Sequence, residues 1–499
     1  MTELGPSFAA VDLGAESGRV IVGRLSGERI DMREEHRFAN APVSLPDGLH
    51  WNVLSLFSEI LTGLTRAAAG SDHLAGIGID AWGVDYGLLD GSRRLLGLPF
   101  HYRDRRTEGM MELADERVPA PELYGRTGIQ RMPINTVYQL LAEAGTPAAE
   151  VAEHIALIPD LIGMWLTGSL ANEITIASTS GLLDARTGRW ARDVAAALGL
   201  RPEIFSGDPI EPGVLLGASR PDLDEIAGTP VWTVAAHDTA SAFVATPVTS
   251  PAAAILSSGT WSLLGVETES PVLDAAAAAA NLTNERGIDG TTRLLRNVMG
   301  LWLVQECRRS WQRRGLPLDY GELQALAAIE RDDVALVDPD HPDLLRPGDL
   351  PERIAQLCEV SGQKRPREPG EVMRTILVSL ACKYNFVLEQ LRSVTHRAID
   401  VIHVIGGGSR NRALCQLTAD ITGCRVTAGP VEATALGNLL VQARAVGLVA
   451  SVSQMRALTA ASVSTEAYEP SGAGLRAAVY ERFLALTGLT RPTYEPTPA

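Results

Sequence analysis

Two glycine turns, a His-Asp-Thr triplet and a run of three glycines hold the groups in this chain best suited to chemistry. The first turn lies in Phe8–Val20, FAAVDLGAESGRV. Successive backbone N–H groups in such a turn bind phosphate without a cationic side chain. It carries two carboxylates, Asp12 and Glu16, and no lysine. A phosphate held there needs counter-charge, which Asp12 can supply through Mg2+. The second turn, in Ala252–Val266 (AAAILSSGTWSLLGV), adds three hydroxyls, from Ser257, Ser258 and Thr260. His237-Asp238-Thr239 closes a short β-rich run. A carboxylate at the end of a buried strand can accept the proton of an attacking hydroxyl. Gly406-Gly407-Gly408 follows another apolar run, and only glycine brings backbone flush against a flat ring or a phosphate. Asp80-Ala81-Trp82-Gly83 and Tyr102-Arg103-Asp104 combine aromatic faces with charged groups, which suits the apolar face and hydroxyl edge of a sugar.

One familiar phosphate device is excluded. Of 44 basic residues only Lys364 and Lys383 are lysines, and neither follows a glycine. A Gly-Lys-Ser/Thr phosphate loop therefore cannot form.

The elements that would hold these groups alternate. Phe8–Val11 and Arg19–Leu25 form a hairpin, Leu54–Ala69 has helical periodicity, and Leu74–Ile79 is a short apolar run. Helices are expected near Asn135–Ala144 and Ile155–Trp165, and a strand at Pro230–Ala236. Ala275–Ala280 starts a helix, Arg331–Pro351 loops over the surface, and Glu371–Leu391 is a long helix. Val401–Ile405 and Cys424–Ala428 are strands around a helix at Asn411–Thr422, and another helix opens within 429–438. The last helix lies near Leu475–Leu486, followed by an irregular tail. Alternation of this kind indicates an α/β protein. The two hairpins share one plan, a small-apolar run, a polar glycine turn and a second apolar run. An internal duplication is expected, its second copy starting near residue 248, after the Pro/Ser/Thr-rich stretch 246–251. The expected domains are 1–247 and 248–499, with the last helix packing back on the first.

The bulk composition narrows the setting. The chain has 499 residues and a net charge of −16, which argues against nucleic acid or an anionic membrane as the main partner. Five cysteines without metal spacing point to buried thiols in a reducing compartment. The N-terminus carries Glu3 and no basic region, and no apolar run reaches 18 residues, so a cytoplasmic location is expected.

Taken in order, these motifs resemble the FGGY family of carbohydrate kinases. The blocks are VDLGAESGRV at 11–20, GIDAWGVDYGLL at 78–89, YRDRRT at 102–107, AAHDTASA at 235–242, LSSGTWSLLGVE at 256–267, NVMGLWLVQE at 297–306 and GGGSRNRALCQLTAD at 406–420. They are most similar to the branch that acts on L-rhamnulose, over about residues 8–485. The resemblance implies an α/β fold of two ribonuclease-H-like (actin/hexokinase-type) domains with a central cleft. It implies ATP-dependent phosphorylation of L-rhamnulose at its 1-hydroxyl. Kinases of L-fuculose, L-ribulose or D-xylulose, and a non-catalytic ATP-binding sensor, are the alternatives. Asp238 would be the general base, with His237 and Thr239 flanking the sugar and Gly83 and Asn297 contacting it. Ala15, Glu16, Ser17, Gly18, Arg19, Thr260, Gln305 and Gly407 would contact ATP, and Asp12 would organise Mg2+. Trp82 and Arg103 join as sugar-lining candidates on their own chemistry. Where many members of the family have Ser or Thr, this chain has Glu16, expected to face Mg2+ or its waters, or to pair with Arg19. The implied partner is a small ketose, with no nucleic acid or membrane, acting on a monomer or small homo-oligomer.

Overall fold

The computed structural model describes residues 5–71, 73–327, 334–471 and 473–492. They group into two compact units. The first comprises Met1–Pro247, Glu267–Leu294 and Ala433–Val463; the second comprises Val248–Val266, Leu295–Glu432 and Ser464–Ala499. The junction at 247/248 is one of five points where the chain passes from one unit to the other.

In the first unit, β1 (Ser7–Leu13) pairs antiparallel with β2 (Ser17–Ser26), which pairs antiparallel with β3 (Arg29–Ala39). On its other side β1 runs parallel to β4 (Leu74–Ala81). β5 (Leu215–Ala218) and β6 (Pro230–Trp232) complete the order β3-β2-β1-β4-β6-β5. All seven residues of β1 are buried, as expected of a strand covered on both faces. One face packs Phe8, Ala10 and Ile21 against Ala240 and Val244 of the helix Asp238–Val244 and Leu436, Leu439 and Leu440 of the helix Ala433–Ala445. These two helices meet at Gly437, where an added Cβ would lie 1.8 Å from the Ser241 carbonyl oxygen. The helix Val53–Ala69 starts one residue earlier than expected, at the Asn52 cap.

Two expected elements differ. The helix expected at Ile155–Trp165 is a strand, His154–Leu157, followed by the helix Ile158–Thr167. The strand pairs with Tyr86–Leu89, and Pro159 fits a helix only in its first turn. The strand expected at Pro230–Ala236 keeps its ladder only to Trp232. Val234 and Ala235 are buried by core packing instead.

In the second unit, β7 (Ala253–Ser258) pairs antiparallel with β8 (Trp261–Thr268) and parallel with β10 (Val401–Ile405), on a seven-stranded sheet in which Thr283–Arg286 is followed in order by β9-β8-β7-β10-β11-β12. Here β9 is Thr292–Met299, β11 Arg425–Ala428 and β12 Glu466–Tyr468. The helix Pro369–Thr395 opens with a reciprocal Glu368–Glu371 capping box. Its Val378, Ala381, Cys382 and Phe386 pack with Ile421, Tyr480, Phe483 and Leu484. The last helix, Ala473–Thr487, therefore belongs to the second unit and does not return to the first, contrary to expectation. The aromatic residues on it are committed to this core. The helices that do return are Ala433–Ala445 and Val452–Ser462.

Of the loop expected at 331–351, residues 331–333 lie outside the described residues, as does the tail from 493. Val334–His341 has no helix or strand, Pro342–Leu344 is a 3-10 turn, and a helix begins at Leu350. Among the described residues no helix is long and apolar enough to cross a membrane. All five cysteines are buried, and no disulfide joins any of them among the described residues.

Candidate active site

The first unit gathers three acidic residues at one sheet edge. Asp12 lies opposite Asp80, and Leu13 opposite Ala81, across the parallel pair β1–β4. Ala81 bridges in parallel to His237, its N–H donating to the Ala236 carbonyl at 2.9 Å, and Trp82 N–H donates to the Leu13 carbonyl at 3.1 Å. Asp12, the 80–83 stretch and His237-Asp238 thus end side by side. This is the carboxyl edge of the parallel strands, where open α/β sheets bind ligands.

The first turn is three residues, Gly14–Glu16, closed by Gly14 N–H to the Ser17 carbonyl at 3.0 Å. Asn40 braces it: its N–H donates to the Glu16 carbonyl (3.0 Å) and its Nδ2 to that of Gly14 (2.9 Å). Arg19 faces Asp12 across the hairpin, with Nε 3.2 Å from Oδ2. Gly18 is needed for packing, because an added Cβ would fall 2.3 Å from the Phe38 ring. Asp80 is fully buried. Desolvation first, and then the neighbouring Asp12, push its pKa well above the usual carboxylate range. Asn438 Nδ2 donates to Asp80 at 2.6 Å, and Gln442 bridges from the Asn438 side chain to the Ala9 carbonyl.

Asp238 is the first residue of its helix, and His237 occupies the cap position. Thr239 N–H (2.5 Å) and Oγ1 (3.1 Å) donate to Oδ1 of Asp238, and His237 Nε2 lies 3.3 Å from the same oxygen. Burial raises the pKa of Asp238, opposed by His237, Thr239 and Arg293. A carboxylate shifted in that direction is a better match for general-base work near neutral pH. Behind it, His237 Nδ1 meets Glu285 and Arg293, two residues the sequence did not single out. Glu173 also went unnoticed. Its Oε2 accepts from Thr175 N–H and Oγ1, Ile176 N–H and Ala236 N–H, clamping the segment that delivers His237. Burial pushes Glu173 up to about 7.

At the positions expected to line a sugar, Gly83 precedes a strained residue. Val84 has φ +70°, rare for a β-branched side chain. Thr179 Oγ1 accepts from Val84 N–H (3.1 Å), and Thr136 Oγ1 donates to the Val84 carbonyl (2.6 Å). Trp82 is buried, its ring centroid 4.3 Å from that of Trp51 and its N–H donated to Asp85. What it can still offer a sugar is ring surface. Arg103 is buried with its guanidinium 5.2 Å from the Tyr102 ring, and Tyr102 N–H reaches Asp85.

The second unit assembles a different set. β7 and β8 turn at Gly259-Thr260, and the carbonyls of these two residues accept from Leu301 and Trp302 N–H (2.9 and 3.1 Å). The helix Trp302–Arg313 is thereby tied to the turn, with Gln305 in its first turn and its Oε1 buried without a hydrogen-bond partner. Asn297 lies on β9, beside β8. The three glycines have three separate reasons. Gly406 has φ +79°. Gly408 lies against Ser258, whose Oγ would be 2.0 Å from an added Cβ. Gly407 is exposed, with open space where a Cβ would sit. The Ser258 hydroxyl, expected as a donor on the turn, is instead buried under Gly408. Alternation along β7 turns it inward.

The FGGY family of carbohydrate kinases matches through its N-terminal domain at residues 8–245 and its C-terminal domain at 254–446. A relative from Bacteroides thetaiotaomicron named rhamnulokinase is 40% identical over 482 residues, covering 96% of this chain and 98% of that one. One of the same name from Enterococcus faecalis is 41% identical over 470 residues, covering 93% and 94%. Among solved structures, gluconate kinase from Lactobacillus acidophilus superposes with a TM-score of 0.77 at 14% identity, covering 99% of both chains. That likeness establishes the fold, the actin/hexokinase type. With both family domains present along its length, the chain belongs to the FGGY family of carbohydrate kinases, sugar kinases with ATP as co-substrate.

Proposed function

We propose that the protein transfers the γ-phosphoryl group of ATP to the 1-hydroxyl of L-rhamnulose, giving L-rhamnulose 1-phosphate and ADP, in cytoplasmic L-rhamnose breakdown. The name shared by the relatives at about 40% identity supports the choice of sugar. The observation that carries the chemistry is at Asp238, where the protein's donors converge on Oδ1. Asp238 accepts the proton of the sugar hydroxyl as the phosphoryl group transfers in line. Gly83, His237, Thr239 and Asn297 hold the ketose, with the ring of Trp82 and the guanidinium of Arg103 on its flank. The backbone of Ala15, Glu16, Ser17, Gly18 and Arg19, with Thr260, Gln305 and Gly407, holds the nucleotide. The enzyme acts as a monomer or small homo-oligomer on a small-molecule substrate, without nucleic acid or membrane.

Mg2+ fits the residues at the first turn. Among the described residues no three His, Cys, Asp or Glu side chains gather into a ligand set. Mg2+ keeps most of its waters and takes one or two carboxylates together with substrate phosphates, so the single carboxylate of Asp12 beside a phosphate turn suits it. Asp12 would hold the ion, directly or through water, with Glu16 facing its hydration shell. The bound ion would offset the charge on the phosphates.

An ADP-coupled assay over L-rhamnulose, L-fuculose, L-ribulose and D-xylulose tests the substrate. L-rhamnulose should have the highest kcat/KM, and another ketose in first place would refute the assignment. Methyl-sized differences discriminate by only about 10–200-fold, so slower turnover of the others is expected.

A further inference from the structure

A buried charged triangle stands behind the base. His237 Nδ1, Arg293 Nη2 and Glu285 Oε2 lie 3.1 Å from one another. The Arg293 side chain is 1% exposed and that of Glu285 5%. Glu285 is on the strand Thr283–Arg286 and Arg293 near the start of β9, both in the first unit with His237. A buried ion pair of this kind adds little stability over apolar residues of similar volume, so orientation is the better account of its use.

We propose that Glu285 and Arg293 are positioning residues for the base: they fix the His237 imidazole with Nε2–H on Oδ1 of Asp238, making Oδ2 the oxygen that takes the sugar's proton. This rests on the reading of Asp238 as the base. The chemistry of the imidazole supports it. Arginine donates only, so its contact with Nδ1 needs a lone pair there, which places the ring proton on Nε2. If Nδ1 instead donates to Glu285 from the doubly protonated ring, Nε2 still carries a proton. The remaining form, Nδ1–H with a bare Nε2, would set a lone pair against the Asp238 carboxylate and an N–H against Arg293. Both compatible forms thus put a proton on Nε2, 3.3 Å from Oδ1. That oxygen then has the His237 N–H beside it in addition to the two hydrogen bonds from Thr239 N–H and Oγ1. Held on one oxygen, the carboxylate cannot swing, and the basic lone pairs of Oδ2 are aimed at the substrate.

Steady-state kinetics on the full-length enzyme test the proposal, with Glu285→Gln, the doubly neutral Glu285→Gln/Arg293→Met, Asp238→Asn and Asp238→Asn/Glu285→Gln. The doubly neutral variant leaves no unpaired buried guanidinium and serves if Glu285→Gln alone does not fold. Misplacing a catalytic group can cost up to about 100-fold, so kcat should fall by about 10–100-fold with the ketose KM within about threefold. In the Asp238→Asn background the Glu285 change should have no further effect, because it acts through Asp238. A folded doubly neutral variant with parental kcat, additive losses in the two backgrounds, or a raised KM at constant kcat would each overturn the proposal while leaving Asp238 as base. Parental turnover in Asp238→Asn would overturn the reading of Asp238 itself, and the proposal with it.

Discussion

In the first unit β1 and β2 turn at Gly14–Glu16 and β1 runs parallel to β4; in the second, β7 and β8 turn at Gly259-Thr260 and β7 runs parallel to β10. From the outer hairpin strand inwards the two sheets follow the same order, β3-β2-β1-β4-β6 and β9-β8-β7-β10-β11. What is built on the shared plan differs. The first unit buries charge: Asp12 with Arg19, Asp80 in register beside it, and Glu173, Glu285 and Arg293 behind His237 and Asp238. The second also buries a cation, Lys383 paired with Asp338 and Asp340, but the groups expected to meet a ligand there are the Thr260 hydroxyl, the amide of Gln305 and bare backbone at Gly407. The groups displaced upward in its core are thiols and tyrosines such as Cys307 and Tyr384. On the proposed reading, one strand plan serves two tasks: the first unit handles the proton and the metal and holds phosphate on backbone, and the second adds neutral contacts to the nucleotide.

That division can be broken from the first unit's side. Asp238→Asn should lower kcat by at least about 100-fold while ADP affinity by calorimetry stays within about threefold. Parallel losses of both would end the division. Asp12→Asn removes one charged contact, which at about 1.5–3 kcal/mol corresponds to roughly 10–100-fold in kcat. The loss should shrink as Mg2+ is raised in a titration of rate against metal. From the second unit, Thr260→Val removes a neutral donor and should raise the KM for ATP by about 3–10-fold with kcat near parental.

The glycines sharpen the comparison further. Gly408→Ala forces a Cβ onto Ser258 and should cost about 1–3 kcal/mol. In calorimetry that is a fall of several degrees in Tm. Gly407→Ala should leave Tm unchanged and weaken nucleotide binding alone. The smallest effect concerns pH. The folded pKa of Glu173, about 7, lies above the unfolded value of about 4.3. Its contribution is therefore complete below about pH 4 and is lost as pH rises through 7, by at most about 1.4 kcal/mol per pH unit. Tm should fall from pH 6 to 8, less steeply in Glu173→Gln. The raised thiols and tyrosines of the second unit stay neutral in the folded state over that range, and only the unfolded thiols, which begin to ionise toward pH 8, add to the slope there.

Much of this was legible before any coordinates. Both hairpins stand out because a run of small apolar residues must turn where glycine interrupts it, and Asp12, Asp238 and Gly407 sit at the predicted turns and strand ends. Depth and direction were hidden. Nothing local shows that Ser258 points inward under Gly408, or that the Trp82 N–H is committed to Asp85. Glu285 and Arg293 lie about 50 residues beyond His237 with no motif spacing to link them, so only the folded chain brings them together. The last helix was misassigned because an apolar face shows that a helix packs, not against what.

The return of Ala433–Ala445 to the first unit bears on how this protein is made. Gly78 and Asp80 are covered by Asn438 and Gln442, and Gly437 lies against Ser241. A ribosome that has released residue 247 must add about 190 more before that helix emerges, roughly 10–40 s at elongation rates of about 5–20 residues per second. Throughout that interval the nascent first unit exposes an apolar sheet face and an uncovered carboxyl cluster. A truncation at 247 would preserve the same gap permanently, so the fragment should associate with chaperones or aggregate instead of behaving as an independent domain.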